Sequence, residues 1–217
     1  MEQAARQRAR ILLVDDHPVV RHGIRSILTD RLKGSVVGEA SDAEEALAQV
    51  TASPWDVVVA DISLPGMSGI DLIKQLHRVK PDLPTLAVSM HPAAQFARRA
   101  LGAGAIGYLT KDSSPEEFVK AIEDARRGRR YLGRDAGDVL LNWTTKSIAT
   151  PHDSLSDREY QVLRLLGSGQ TASDIARDLG LSVKTVSTYR MRVLEKLGMR
   201  TSAELMRYAI ENGLLES

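Results

Sequence analysis

Residues of complementary chemistry stand at the ends of short apolar runs. Asp15 and Asp16 follow ILLV (11–14), Asp61 follows VVVA (57–60), Ser89 closes TLAVS (85–89), and Lys111 comes just after IGYL (106–109). A buried carboxylate is costly unless something binds it. Asp61 therefore either caps the loop ISLPGMSG or is placed there to react. Three carboxylates in one crevice repel one another unless a cation joins them, and donors that are all oxygen favour a hard divalent ion, Mg²⁺ first. Lys111 adds a fixed positive charge, and Ser89 a hydroxyl able to donate to an anion.

These residues meet only if the runs are strands of one parallel sheet, where ligands bind at the carboxyl ends. The runs, with VVGE (36–39), are aliphatic and continuous rather than alternating, as strands buried on both faces are. Helical stretches lie between them at 18–31, 42–53, 68–79, 93–101 and 115–127. Ser41 with Glu44, and Ser114 with Pro115 and Glu117, read as helix starts. Strands alternating with helices predict a (βα)5 doubly wound α/β domain over 10–128 with right-handed crossovers.

From 129 to 153 the pattern breaks into glycines, charges, Thr and Pro, which reads as a linker, with DVLLNW (138–143) able to form a short helix. Residues 154–217 carry four short helical patterns and no strand signal. Ser156 with Glu159, Thr171 with Asp174, and Thr201 with Glu204 form capping boxes, and Ser182 caps the helix between the last two. A small all-α domain of about 60 residues is expected there.

Bulk composition bounds the partners. Of 217 residues, 43% are hydrophobic and 26% charged, with a net charge of +1. No global field draws the chain to nucleic acid or membrane, so any basic patch is local. Cysteine is absent, which excludes disulfides and thiolate metal sites. The polar start MEQAARQRAR has no apolar h-region, and no apolar run approaches the ~20 residues of a membrane span. The expectation is a soluble cytoplasmic protein with no membrane partner.

Together, LLVDDHPVVRHGI, DISLPGMSG, AVSM and GYLTKD resemble the receiver domain of two-component response regulators over roughly 10–128. The resemblance implies that Asp61 is a phosphoacceptor, attacking a phosphoryl group carried by the phosphohistidine of a sensor kinase or phosphotransfer protein. It implies that Asp16, Asp61 and the Ser63 backbone carbonyl hold Mg²⁺, with Asp15 assisting through water. Lys111 and Ser89 would contact the phosphoryl oxygens. Tyr108 would turn inward behind Ser89 as a switch, although an ordinary strand aromatic explains it as well. Pro65 and Gly69 would shape the loop beside the acceptor. His17 and His91 lie near the site without metal-ligand spacing, and His91, two residues past Ser89, falls where the family often tunes phosphate lifetime.

In the second domain, LSVKTVSTYRMRVLEKLGM (181–199) is basic. From 184 to 200 Lys184, Arg190, Arg192, Lys196 and Arg200 face only Glu195. On a helical wheel Val183, Val186, Val193, Leu194 and Leu197 share an arc, and Lys184, Thr188, Met191, Arg192 and Glu195 lie opposite, with Thr185 and Ser187 at the edges. Arg190 falls within the apolar arc and is expected to snorkel toward a phosphate. TASDIARDLG (171–180) precedes this helix through a short glycine turn, the helix-turn-helix order. A solvated charged face on a small bundle is the plainer reading of the basic helix taken alone.

The stretch LSDREYQVLRLLGSGQTASDIARDLGLSVKTVSTYRMRVLEKLG resembles the LuxR-type DNA-binding domain over about 154–217. With the receiver it resembles the NarL/FixJ family, and the wording KTVSTYRMRVLEKL is similar to its BvgA/RcsB branch. The resemblance implies that Ser187, Thr188 and Met191 face base edges of double-stranded promoter DNA. Lys184, Arg190, Arg192 and Lys196 would hold phosphates, with Thr185 at the margin. The family often has lysine at the positions of Ser187 and Met191, which leaves the operator open. The last helix, with Leu205, Tyr208, Ala209 and Leu214 or Leu215, either packs within its own domain or pairs two copies. A homodimer formed on phosphorylation, on half-sites about one helical turn apart, is the implied assembly. RNA polymerase is a further candidate partner.

The leading reading is thus a phosphorylation-dependent DNA-binding transcription regulator, not an enzyme. A regulator that uses its receiver only to dimerise is the alternative, opposed by the complete set Asp15, Asp16, Asp61, Ser89 and Lys111. An aspartyl-phosphate phosphatase is opposed by the lack of a second acid/base carboxylate after DISLPG and of any insertion that would cover a substrate.

Overall fold

The computed structural model describes residues 8–90, 93–133 and 150–215, and its contacts divide the chain into two units, Met1–Thr145 and Lys146–Ser217. In the first, the apolar runs form β1 (Arg10–Val14), β2 (Val36–Ala40), β3 (Val57–Asp61), β4 (Thr85–Ser89) and β5 (Gly107–Thr110). Between and after them come α1 (Pro18–Arg31), α2 (Ala43–Ala52), α3 (Gly69–Val79), α4 (Ala93–Gly102) and α5 (Pro115–Arg126). The sheet is parallel throughout, in the order β2-β1-β3-β4-β5-β6, where β6 is the two-residue strand Tyr131–Leu132.

Side-chain alternation divides the core between the two faces. Ile11, Leu13, Val57 and Val59 pack with Ile24 and Leu28 of α1 and Phe118 and Ile122 of α5. Leu12, Val14, Val58 and Ala60 pack with Ala46 and Val50 of α2 and Leu72 and Leu76 of α3. Each run is covered on both sides, which is why it reads as continuous valine, isoleucine and leucine rather than as an alternation.

Two details differ from the sequence expectation. A sixth strand lies within the stretch read as linker: β6 pairs with β5, Gly107 opposite Tyr131. Two residues are too few for any period to register. The cap of α2 is Asp42, whose Oδ1 accepts the Glu45 N–H at 2.8 Å, while Glu45 Oε2 accepts the Ser41 N–H at 2.8 Å. The cap sits one residue later than Ser41, and no reciprocal box closes there because Glu45 reaches the Ser41 N–H rather than that of Asp42; both Ser and Asp can cap and sequence alone does not choose. At α5 the Ser114–Glu117 box forms as expected.

The second unit begins with a 3₁₀ turn at Pro151–Ser154, part of which was also read as linker, followed by α6 (Asp157–Gly167), α7 (Ala172–Asp178), α8 (Val183–Leu197) and α9 (Ser202–Glu211). Ser156, Thr171, Ser182 and Thr201 all cap as the sequence implies. Its core joins Val162 and Leu163 of α6 with Ile175, Val186, Val193, Leu205 and Ala209, all essentially inaccessible. Arg164 Nε donates to the Leu214 carbonyl at 2.9 Å and ties down the chain after α9. The DVLLNW segment lies outside the described residues. Among those described, no helix is long and apolar enough to cross a membrane.

Candidate functional site

At the carboxyl end of the sheet, β1, β3 and the segment after β5 bring Asp15, Asp61 and Lys111 together. Lys111 Nζ lies 2.7 Å from Asp15 Oδ2 and 2.7 Å from Asp61 Oδ2, with all three side chains at most 5% exposed. The other carboxylate oxygens are held by main chain: Asp61 Oδ1 accepts the Ser63 N–H at 2.9 Å, and Asp15 Oδ1 the His17 N–H at 2.8 Å. Asp16 Oδ1 is buried and accepts no hydrogen bond, with His17 Nδ1 2.8 Å away. One ligand atom from each of Asp15, Asp16, His17 and Asp61 falls within 4.8 Å of all the others. The carboxylate oxygens of this set, with Asp16 Oδ1 among them accepting no hydrogen bond, fit a divalent cation of the Mg²⁺ type, and the His17 nitrogen is the one softer donor beside them.

Burial pushes the Asp61 carboxyl above the ordinary carboxylate value, and Lys111 offsets only part of that. Burial works against the Lys111 charge as well, but Asp61 and Asp15 together raise the ammonium above its usual value. The lysine therefore stays charged between the two carboxylates.

The loop after β3 fixes this geometry. Ser68 caps α3 by accepting the Asp71 N–H, and the Gly69 N–H bonds the Ile62 carbonyl at 3.1 Å. A Cβ on Gly69 would stand 1.8 Å from the Asp61 carbonyl oxygen. Glycine is required because the helix start folds directly against the reactive residue's own backbone.

Ser89 is fully buried at the end of β4, and its carbonyl accepts the Lys111 N–H at 2.7 Å. Tyr108, on β5 opposite Ala87, is 1% exposed, so its ring is already inside in this structure. His91 lies outside the described residues.

In the second unit α7 and α8 form the helix-turn-helix, with Gly180 at φ 61° in the turn. Lys184, Ser187, Thr188, Met191 and Arg192 are exposed, Met191 by 66%, while Val186, Val193 and Leu194 are buried. Val183, placed on the core arc by the wheel, is the first residue of the helix and is 47% exposed.

Comparison with known proteins decides what this pair of domains is. The response regulator receiver domain model matches residues 11–123, and that of the luxR family of bacterial regulatory proteins matches 153–209. Response regulator UvrY of Escherichia coli is 39% identical over 207 residues, 94% of each chain. The chain is a two-component response regulator of the NarL/FixJ family. Response regulator GacA of Pseudomonas aeruginosa is 35% identical over 210 residues, 96% of this chain and 98% of GacA. The structure of RcsB from Salmonella enterica serovar Typhimurium, bound to the promoter rprA in the presence of phosphomimetic BeF3⁻, superposes with a TM-score of 0.62. It is 27% identical and covers 93% of this chain and 98% of RcsB. A receiver joined to a LuxR-type DNA-binding domain makes this response regulator a phosphorylation-dependent transcription regulator.

Two residues given to phosphate by the sequence are engaged inside the regulator's own domain. Arg190 Nε donates to Ser202 Oγ of α9 at 2.7 Å instead of snorkelling outward. Lys196 Nζ pairs with Glu159 Oε2 of α6 at 2.6 Å. Burial would raise the Glu159 carboxyl, but Lys196 and the Ser156 N–H outweigh it and hold it below the usual carboxylate value. Thr185 shares its hydroxyl with Ser182 at 2.8 Å, and Thr188 Oγ1 donates to the Lys184 carbonyl at 3.0 Å. On α9, Leu205 and Ala209 face α6 and Tyr208 bonds His152 at 2.9 Å, leaving Ile210 exposed by 62% and Met206 by 37%.

One contributor was missed by sequence reading. Arg21 of α1 donates to the Asp15 carbonyl at 2.5 Å and pairs with Glu39 of β2 at 2.9 Å. The Arg21 hydrogen bond holds the Glu39 carboxyl below its ordinary value, although its own burial opposes this. Arg21 thus braces the segment that carries Asp15 and Asp16. A lone arginine six residues beyond an aspartate carries no sequence signal.

Proposed function

We propose that Asp61 is the phosphoacceptor of this regulator and that a sensor histidine kinase, or a phosphotransfer protein, supplies the phosphoryl group. The reading rests above all on Lys111 Nζ, 2.7 Å from both Asp61 and Asp15 beside the undonated oxygen of Asp16. A carboxylate oxygen of Asp61 attacks phosphorus as the N–P bond of the phosphohistidine breaks. The leaving imidazole nitrogen keeps that electron pair and takes a proton from solvent. Asp15, Asp16, Asp61 and the Ser63 carbonyl would hold Mg²⁺, which when bound neutralises charge spread over the phosphoryl oxygens. Lys111 then exchanges its contact with Asp61 for a phosphoryl oxygen, and Ser89 donates to another. Tyr108 packs behind Ser89 in the switched state.

The output is binding to double-stranded promoter DNA in the cytoplasm. Ser187, Thr188 and Met191 meet base edges, with the Met191 side chain and Thr188 methyl suited to thymine methyl groups. Lys184 and Arg192 hold phosphates, with Thr185 at the edge of the contact. Arg190 and Lys196 keep the recognition helix seated on α9 and α6. Met206 and Ile210 supply the apolar face by which two DNA-binding domains pair once the receivers are phosphorylated, and RNA polymerase is a further partner on such DNA.

Intact mass after incubation with acetyl phosphate tests the acceptor. Wild type with Mg²⁺ gains one phosphate, while Asp61→Asn and an EDTA control do not. A gain in Asp61→Asn equal to wild type would overturn the assignment.

A further inference from the structure

The receiver carries a second charged site at the opposite, amino-terminal edge of its sheet, about 17 Å from the acidic crevice by the length of a five-residue strand. Arg8, Arg31, Lys33, Arg126 and Arg127 line a cavity of about 490 Å³ with Glu123 as the one acidic residue in its wall. The first two cationic segments flank β1 and α1, and the last two residues end α5. Leu32 and Val119, both half-buried, and buried Ala9 supply an apolar surface within it.

Helix chemistry explains part of this charge. Arg31 and Arg126 stand in the last turns of α1 and α5, where cations suit the negative helix end. Arg31 pairs with Glu116 at 3.1 Å, Arg126 reaches Asp56 at 3.8 Å and Arg127 reaches Glu123 at 3.9 Å. Arg8 and Lys33 pair with no acid among the described residues, and neither lies in a helix. Among the described residues, three of the five cations have an acid partner and two, Arg8 and Lys33, do not, in a cavity that is partly apolar.

We propose that this cavity binds a small polyanion of the nucleoside polyphosphate class. Arginine forks and the Lys33 ammonium suit phosphate oxygens, and Leu32 and Val119 offer a flat base an apolar surface. The volume lies within the roughly 300–1,000 Å³ of small-molecule sites. Duplex DNA would need an extended face rather than a cleft bounded by three separate segments. The site uses none of the residues assigned to phosphoryl transfer or DNA contact.

Isothermal titration of the full chain with ATP, in EDTA at low salt, tests the proposal. One-to-one binding is expected, weakened by at least about tenfold in Arg8→Ala/Lys33→Ala and unchanged in Lys184→Ala/Arg192→Ala. Inorganic tripolyphosphate should bind more weakly than ATP, since it leaves the apolar surface bare. Absence of binding, or loss only in the Lys184→Ala/Arg192→Ala protein, would overturn the site. Equal affinity for tripolyphosphate would overturn the nucleoside, and displacement of ATP from Lys184→Ala/Arg192→Ala by a short duplex would assign the cavity to nucleic acid instead. A wild-type circular dichroism spectrum and melting temperature for each variant serve as the check of folding.

Discussion

The two functional regions handle charge in opposite ways. In the receiver, Asp15 and Asp61 are nearly inaccessible and each is bonded to Lys111, so their charges act at contact distance. On α8 the charges stand in solvent, and those that are paired hold the helix to its own domain. Buried charge suits a chemical step whose product must be sensed. Exposed charge suits a partner that brings its own phosphates and is bound in proportion to how many are neutralised. Removing the shared cation Lys111 should therefore damage folding in the first region, whereas removing a cation of the second should weaken binding, with Lys196 as the exception that crosses the line.

The sharpest test of this contrast is Lys111→Ala. It leaves Asp15 and Asp61 buried without their shared cation, a loss of about 3 kcal/mol or more for a broken buried pair. Urea unfolding should show that loss, and Mg²⁺ should restore more stability to the variant than it adds to wild type. Equal Mg²⁺ effects would mean that the carboxylates do not depend on Lys111 as the geometry implies.

Gly69→Ala comes next. Its Cβ would meet the Asp61 carbonyl at 1.8 Å, so the loop or the start of α3 must move. Overpacking of this kind costs about 1–3 kcal/mol, and the displaced acceptor should label more slowly with acetyl phosphate. Wild-type labelling would show that the loop moves without carrying Asp61 with it.

How far each region was legible follows from the same contrast. The convergence of Asp15, Asp61 and Lys111 was readable because strand ends fix position and direction, and because the set is complementary where a single strand-end carboxylate would read as a cap. The continuous run Leu12, Leu13, Val14 marked a strand covered on both sides, but which helices cover each face came only with the fold. The basic helix was readable as a helix, from Ser182 to Leu197, but not in what each cation does. Arg190 and Lys196 look like Lys184 and Arg192 until Ser202 and Glu159, brought close by other helices, are seen beside them. The brace from Arg21 and the pairing of β6 are tertiary facts of the same sort. Contacts between distant segments leave no local period.

Lys196 and Lys184 separate the two uses of charge on one helix. Lys196→Ala strands Glu159, whose side chain is 4% exposed, and should destabilise the second domain by about 1–2 kcal/mol after allowing for the half-exposed lysine. Lys184→Ala should leave thermal stability unchanged, weaken DNA binding across sequences, and reduce the slope of log affinity against log salt by about 1. A Lys196→Ala protein with wild-type stability and a reduced salt slope would return Lys196 to the phosphate contacts.

The smallest expected effect is the response of the two regions to acid, and its sign differs between them. Glu159 has a folded-state value below the usual carboxylate value, so its contribution to stability is present above the unfolded value and is lost as pH falls through the folded one. Asp61 has a folded-state value above the usual one, so its ionised form is penalised at neutral pH and the penalty fades as pH falls through the folded value. Melting temperature against pH in Mg²⁺-free buffer should show this as two differences from wild type. Glu159→Gln flattens the loss of stability on the acid side. Asp61→Asn is the more stable protein at neutral pH, and its advantage shrinks toward acid. If Asp61→Asn melted below wild type at neutral pH, the bond to Lys111 would outweigh burial. The receiver crevice would then be held together by its charges, as the Glu159–Lys196 pair is, rather than strained by them.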